Sequence, residues 1–192
     1  MTKNISLKII GYEDINQIVG IHSRSLPEGV LPNLGKGTIA RYYRKIIRSQ
    51  LTEDAFIYGA YEDERLVGFC CLTKRQVEFS TIINLDTIAF ILVMFFRDPT
   101  IFIKALVQFV YDSPISSSAC EISYIAVEDG FRGLGIGGLL INLCMKRCSE
   151  QGILYIQTKT SNKSLQRHYM VKYGGEIINE FAVFGDVYRV IV

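Results

Sequence analysis

Four glycines fall within the six residues 133–138 of the stretch EDGFRGLGIGGLL (residues 128–140). A run this dense lets a backbone turn sharply and approach another group without interference from Cβ atoms. The apolar run before it, CEISYIAV (120–127), reads as a strand, and the residues after it read as a helix to about Ser149. A loop of this kind places the unsatisfied N–H groups and positive dipole end of a helix where an anion can reach them. Phosphate groups are the natural occupants.

Two templates compete for the loop. Gly133-x-Gly135-x-x-Gly138 matches the dinucleotide-binding fingerprint, and Arg132-x-x-Gly135-x-Gly137 matches an acyl-coenzyme A loop. The first requires an acidic residue at the end of the next strand to hold a ribose. That strand, ILYIQTKT (153–160), ends in Gln157-Thr158-Lys159-Thr160. No acid is there, and the remaining chain closes in an apparent hairpin. A purely structural glycine turn is the third alternative.

The rest of the chain supplies one substantial core. It has 192 residues, 49% of them hydrophobic, which argues for a single ordered domain over 1–192. The 21 basic and 19 acidic residues are interspersed, so no basic face points to nucleic acid. Five cysteines, Cys70, Cys71, Cys120, Cys144 and Cys148, contain no CxxC pair, so no metal site is expected. They read as buried reduced thiols. The N-terminal MTKNISLKIIGYED lacks an apolar run of secretory type, which points to a cytoplasmic location. IAFILVMFF (88–96) is far shorter than the ~20 residues a membrane span needs, so no transmembrane segment is expected.

Local patterns give the remaining elements. ISLKII (5–10) suits a strand. Ile15, Ile18, Val19 and His22 recur at helical spacing. Residues 27–37 read as a loop, followed by a helix with Ile39, Tyr42, Tyr43, Ile46 and Ile47 on one face. Runs 55–61 and 66–73 flank Glu62-Asp63-Glu64-Arg65 as a β-hairpin. Residues 80–111 read as a helical insert, whose apolar surface is expected to shape an acceptor pocket and a homodimer face, with a membrane-surface role as the alternative. Ser161 or Asn162 caps a helix carrying Leu165, Tyr169 and Tyr173, which Gly174-Gly175 ends, and two strands turn near 184–186.

Taken together, YIAVEDGFRGLGIGGLL and SNKSLQRHYMVKYGG resemble two motifs of the GNAT acetyltransferases. The first is similar to that family's strand, R-G-x-G-I-G loop and long helix. The second is similar to its N-x-x-A-x-x-x-Y-x-x-x-G-F segment, with Asn162 and Tyr169 at the family's spacing. Leu165 departs from the usual Ala, and Tyr169 to Gly174 is one residue longer than usual. The resemblance covers Cys120–Gly175. A weaker likeness, in LPNLGKGTIARYYRKI and the insert, is to members associated with surface-polysaccharide enzymes that acetylate amino sugars.

The resemblance implies an α/β (α+β) GNAT fold. Its central sheet of about seven strands is mixed and mostly antiparallel, flanked by helices. It implies acetyl-CoA as co-substrate and a primary amine of a small molecule as acceptor. An amino sugar or sugar nucleotide is the narrower expectation. A protein or peptide amine, or a non-catalytic coenzyme A sensor, are the alternatives. By resemblance, the backbone of Ile125, Ala126 and Val127 meets the pantetheine arm and the reaction's oxyanion. Arg132, Gly133, Leu134, Gly135, Ile136, Gly137 and Gly138 would hold the pyrophosphate. Arg132 has a loop-bracing alternative. Asn162 either touches the pantetheine arm or caps its helix. Tyr169 resembles the general acid that protonates the leaving thiolate, against a core aromatic. Glu121 resembles a catalytic base, against an ordinary strand-end acid. His22 is the other base or a substrate ligand, against a hydrogen-bonded core histidine.

Overall fold

A computed structural model describes residues 4–27, 30–74, 99, 119–183 and 186–192. The expected helical insert at 80–111 lies outside the described residues, Pro99 excepted. The elements in chain order begin with β1 (Ile5–Ile9), α1 (Ile15–Ser25), a one-turn α2 (Val30–Asn33) and α3 (Lys36–Ser49). β2 (Ala55–Glu62), β3 (Arg65–Thr73), β4 (Ala119–Val127) and α4 (Ile136–Glu150) follow. β5 (Tyr155–Thr160), α5 (Lys163–Tyr173), β6 (Ile177–Val183) and β7 (Asp186–Ile191) complete the chain. The segment read as loop at 27–37 thus contains the short α2. The backbone N–H groups of Leu34 and Gly35 close it by donating hydrogen bonds to the Leu31 and Pro32 carbonyls.

One seven-stranded sheet runs in the order β1-β2-β3-β4-β5-β7-β6. Every neighbouring pair is antiparallel except β4 and β5. That parallel pair is joined by α4, as a crossover requires. β2 and β3 are interior strands and read as almost continuous apolar runs because both their faces are covered. Alternate residues feed two separate cores. Ile57, Leu66, Phe69 and Cys71 pack beneath α1 and α3. Phe56, Tyr58, Val67 and Cys70 pack beneath α4 and α5. The β2–β3 turn places Asp63 at φ 55°, a left-handed position that Asp tolerates.

β4 carries one residue too many for its partner. Tyr124 pairs with Cys71 and Ile122 with Leu72, so Ser123 is a bulge. The extra residue flips which side chains face which core. Before it, Cys120 and Ile122 face the α4 side. After it, Tyr124 and Ala126 face the α1 side. Pairing with β5 stops at the same place, running only from Ala119–Tyr155 to Ile122–Thr158. β5 then pairs with β7 from Thr158 to Thr160. Beyond Ile122, β4 and β5 therefore part, and a wedge opens between them.

The α3 packing gives a direct stability test. Ile46 is fully buried against α1 and the sheet, whereas Leu51 is 86% exposed. Urea unfolding is expected to show Ile46→Ala costing about 2–5 kcal/mol. Leu51→Ala is expected to cost under about 0.5 kcal/mol.

Candidate active site

The wedge is bounded by the last half of β4. Ile125 and Val127 pack partly against the α4-side core, and Ala126 is buried in the other. Their side chains are ordinary strand residues. Among the described residues, their peptide groups on the β5 side pair with no strand, since the β4–β5 ladder ends at Ile122–Thr158. A backbone edge freed in this way is a template for an extended ligand arm.

The glycine loop begins where β4 ends. The Glu128 amide donates to the Val67 carbonyl at 2.9 Å, and Phe131 donates back to the Glu128 carbonyl at 2.9 Å. Phe131 is buried and anchors the turn. Arg132 braces it: Nε donates to the Val127 carbonyl at 3.2 Å and Nη1 pairs with Asp129 Oδ1 at 2.8 Å. Gly133 and Gly135 hold φ values of 78° and 80°, a region that side chains rarely adopt. Gly135 is the N-cap of α4, and no side chain caps that helix end. A Cβ built at Gly133, Gly135 or Gly137 would meet none of the described residues within 4 Å. Among the described residues, nothing crowds the helix N-terminus and no side chain caps its first N–H groups. Exposed Leu134 and buried Ile136 flank Gly135. Gly138, in the first turn of α4, is buried, with the flexible end of Lys172 beside it: a Cβ there would come within 2.7 Å of Lys172 Nζ.

Tyr169 lies in the core beneath α5, 5% exposed, among Leu165 and Tyr173. Its hydroxyl is buried with no hydrogen-bond partner among the described residues. The nearby Thr158 hydroxyl donates instead to the Ile122 carbonyl, at 3.2 Å. Burial above all holds the phenol well above its usual range, so it stays protonated at neutral pH. Leaving such a donor unpaired costs about 1–3 kcal/mol, a cost found where a group awaits a ligand. Asn162 caps α5, its Oδ1 accepting from the Leu165 amide at 3.0 Å.

Glu121 stands on the α1 side of β4, within the part still paired to β5. Its Oε2 lies 3.7 Å from Lys159 Nζ and accepts from Gln157 Nε2 at 3.4 Å. The next residue on that face, Thr73 of β3, shares a 2.8 Å hydrogen bond with Ser123 at the bulge. His22 is fully buried, with Nδ1 2.6 Å from the Tyr43 hydroxyl and Nε2 without a partner among the described residues. Its ring packs 4.7 Å from that of Tyr124 and stacks on Phe69 at 6.3 Å. The structure thus brings His22 beneath the first residues of the wedge, and it places Glu121 at the wedge's closed end. Sequence reasoning missed three further residues at the open end. Glu128 receives Arg24 at 2.5 Å on one carboxylate oxygen and Arg65 on the other. Nothing local in the sequence marks this triad, because its members come from three elements.

A model of the acetyltransferase (GNAT) family matches residues 26–174. The chain belongs to the GNAT acetyltransferase family. It is accordingly an N-acetyltransferase whose acetyl donor is acetyl-CoA. None of the curated protein sequences compared with it matches. Solved structures share the fold at low identity. PaiA N-acetyltransferase from Thermoplasma acidophilum, in complex with coenzyme A, is 16% identical with TM-score 0.59, covering 98% of both chains. An N-acetyltransferase from Staphylococcus aureus Mu50 is 13% identical with TM-score 0.65, covering 98% of this chain and 96% of its own. A histone acetyltransferase HPA2 and related acetyltransferase from Corynebacterium glutamicum is 16% identical with TM-score 0.61, covering 97% and 94%. The seven-stranded mixed sheet flanked by helices is consistent with that family's fold. The open space around Gly133, Gly135 and Gly137 fits a coenzyme that brings phosphates to the α4 N-terminus.

The buried histidine makes a pH test. Burial lowers the His22 imidazole from 6.5 to about 4. Above pH 6.5 neither folded nor unfolded chain is protonated there, and the group contributes nothing to pH dependence. As pH falls from 6.5 toward 4, only the unfolded chain gains the proton, so stability is lost. Chemical denaturation across that window should show wild type losing about 3 kcal/mol more than His22→Gln. Parallel stability profiles would show that His22 titrates normally.

Proposed function

We propose that this GNAT enzyme acetylates the primary amine of a small molecule, an amino sugar or sugar nucleotide being the favoured class. The unpartnered Tyr169 hydroxyl beside the wedge carries the catalytic part of this reading. Acetyl-CoA supplies an activated thioester. The chain's own residues have four tasks: placing the amine, placing the thioester, meeting the oxyanion, and protonating the departing sulfur.

The open backbone of Ile125–Val127 would hold the coenzyme's extended arm as an added strand, and one N–H there would meet the oxyanion. The loop Arg132–Gly138 would hold the pyrophosphate through backbone N–H groups. Arg132 contributes by bracing the turn and adding positive charge. Positioning of this kind supplies about 7–11 kcal/mol in favourable cases. Tyr169, kept protonated by burial, would donate to the thiolate. Asn162 supports it indirectly by capping α5. Glu121 and His22 remain the two residues proposed to help the amine lose its proton. His22, neutral at physiological pH, would act as an acceptor or as a ligand on the acceptor side.

The acceptor class rests on the α3 segment that resembles amino-sugar acetyltransferases. Its Tyr42 and Tyr43 pack edge-on around Tyr124 and His22 over β4. An acceptor screen reading free thiol release is expected to give turnover with small amino sugars. Turnover with peptide amines alone would transfer the reading to the protein-acetylating class. Tyr169→Phe keeps the ring and removes the hydroxyl. It is expected to lower kcat by about 100-fold or more while leaving coenzyme affinity nearly unchanged. Wild-type kcat in that variant, measured where chemistry limits turnover, would reduce Tyr169 to a packing residue.

A further inference from the structure

Arg24, near the end of α1, and Arg65, at the start of β3, reach the same carboxylate. Glu128 is drawn in between them: its side chain is 13% exposed, against 65% and 62% for the arginines. Asp129, the next residue along, pairs with Arg132 at 2.8 Å. Two guanidinium groups thus share the Glu128 carboxylate. Each guanidinium carries five N–H donors in a planar fork. Each spends one terminal nitrogen on Glu128. Arg65 is further held by the Phe131 ring, 5.7 Å from its guanidinium carbon.

These side chains line a cleft. A cavity of about 450 Å³ is bounded by Arg24, Ser25, Arg65, Glu128, Asp129 and Gly130. A second of about 200 Å³ shares Arg24, Arg65 and Glu128 and runs along α1 past Gln17 and Gly20. Cavities of this size accept small organic molecules. The cleft lies between the C-terminal end of α1 and the turn that leads into the glycine loop, whose Asp129 and Gly130 form part of its rim. It lies one residue beyond the end of β4, about 7 Å of strand from Ala126.

We propose that Arg24 and Arg65 form an oxyanion-binding subsite for the acceptor, so that the enzyme selects amines carrying a phosphate or carboxylate group. The inference rests on the acetyltransferase reading for its placement beside the wedge. Glu128 holds the two forks apart and in register, and an incoming oxyanion shares them with it. The coenzyme's own phosphates are the other source of the same chemistry.

The test separates the two sources. Protein saturated with coenzyme A is titrated calorimetrically with inorganic pyrophosphate. Coenzyme-saturated wild type is expected to bind it, R24Q and R65Q each to bind it at least about 10-fold more weakly, and E128Q to bind it more tightly. Coenzyme A affinity is expected to stay within about twofold in R24Q and R65Q. No pyrophosphate binding to the coenzyme-saturated protein overturns the proposal, as does equal binding by wild type, R24Q and R65Q, or weaker binding by E128Q. Loss of coenzyme A affinity in R24Q and R65Q overturns it too, by giving the pair to the coenzyme. If coenzyme A does not bind wild type at all, the acetyl-transfer reading fails. The same titration of the free protein and its arginine variants then still decides whether the pair binds an oxyanion.

Discussion

The site depends on one strand having two incompatible partners. β4 must stay paired with β3 along its length, and it must release β5 after Ile122. The extra residue at Ser123 makes both hold. It shifts the phase of the strand, so that Cys120 and Ile122 face one core while Tyr124 and Ala126 face the other. It also increases the local twist, as a bulge does. β5 cannot follow and turns to β7 at Thr158. An unpaired backbone edge inside a sheet is ordinarily costly. Here it becomes the place where an extended substrate arm can complete the sheet.

The two cores then divide the work. On one side, α4 and α5 place the glycine-capped helix end and the Tyr169 hydroxyl. On the other, α1 and α3 bring His22, Tyr42 and Tyr43 against Tyr124 and send Arg24 to Glu128. The glycine loop with Tyr169 and the His22 cluster thus lie on opposite faces of one strand, and the proposed function has them meet through the wedge. The loop is held by short local contacts: Arg132 on Val127 and Asp129, Phe131 in the core, and Glu128 on Val67. That rigidity suits a loop that must present N–H groups without reorganising.

Local features of the sequence were the legible ones. The glycine loop could be read because left-handed positions at Gly133 and Gly135 demand that residue. The β2–β3 hairpin, the amphipathic α3 and the cap at Asn162 were likewise fixed by residues within one turn or strand of each other. The wedge was available only through resemblance, because the bulge at Ser123 arises from a register between strands nearly fifty residues apart, with nothing in Ser itself to announce it. The Arg24–Glu128–Arg65 triad was missed for the same reason. Arg132 braces the loop, Asn162 caps α5, and Tyr169 packs its ring while its hydroxyl finds no partner among the described residues; their roles toward the coenzyme stand as proposals. The segment 80–111 lies outside the described residues, so its expected role in the acceptor pocket stands as a proposal.

Amide hydrogen exchange, with and without coenzyme A, tests the central claim most directly. The account predicts that coenzyme A slows exchange at Ile125–Val127 and at Gly133–Gly138, the two backbone stretches left open by the bulge and the uncapped helix. Protection confined to other elements, with both stretches unchanged at saturating coenzyme, would contradict it.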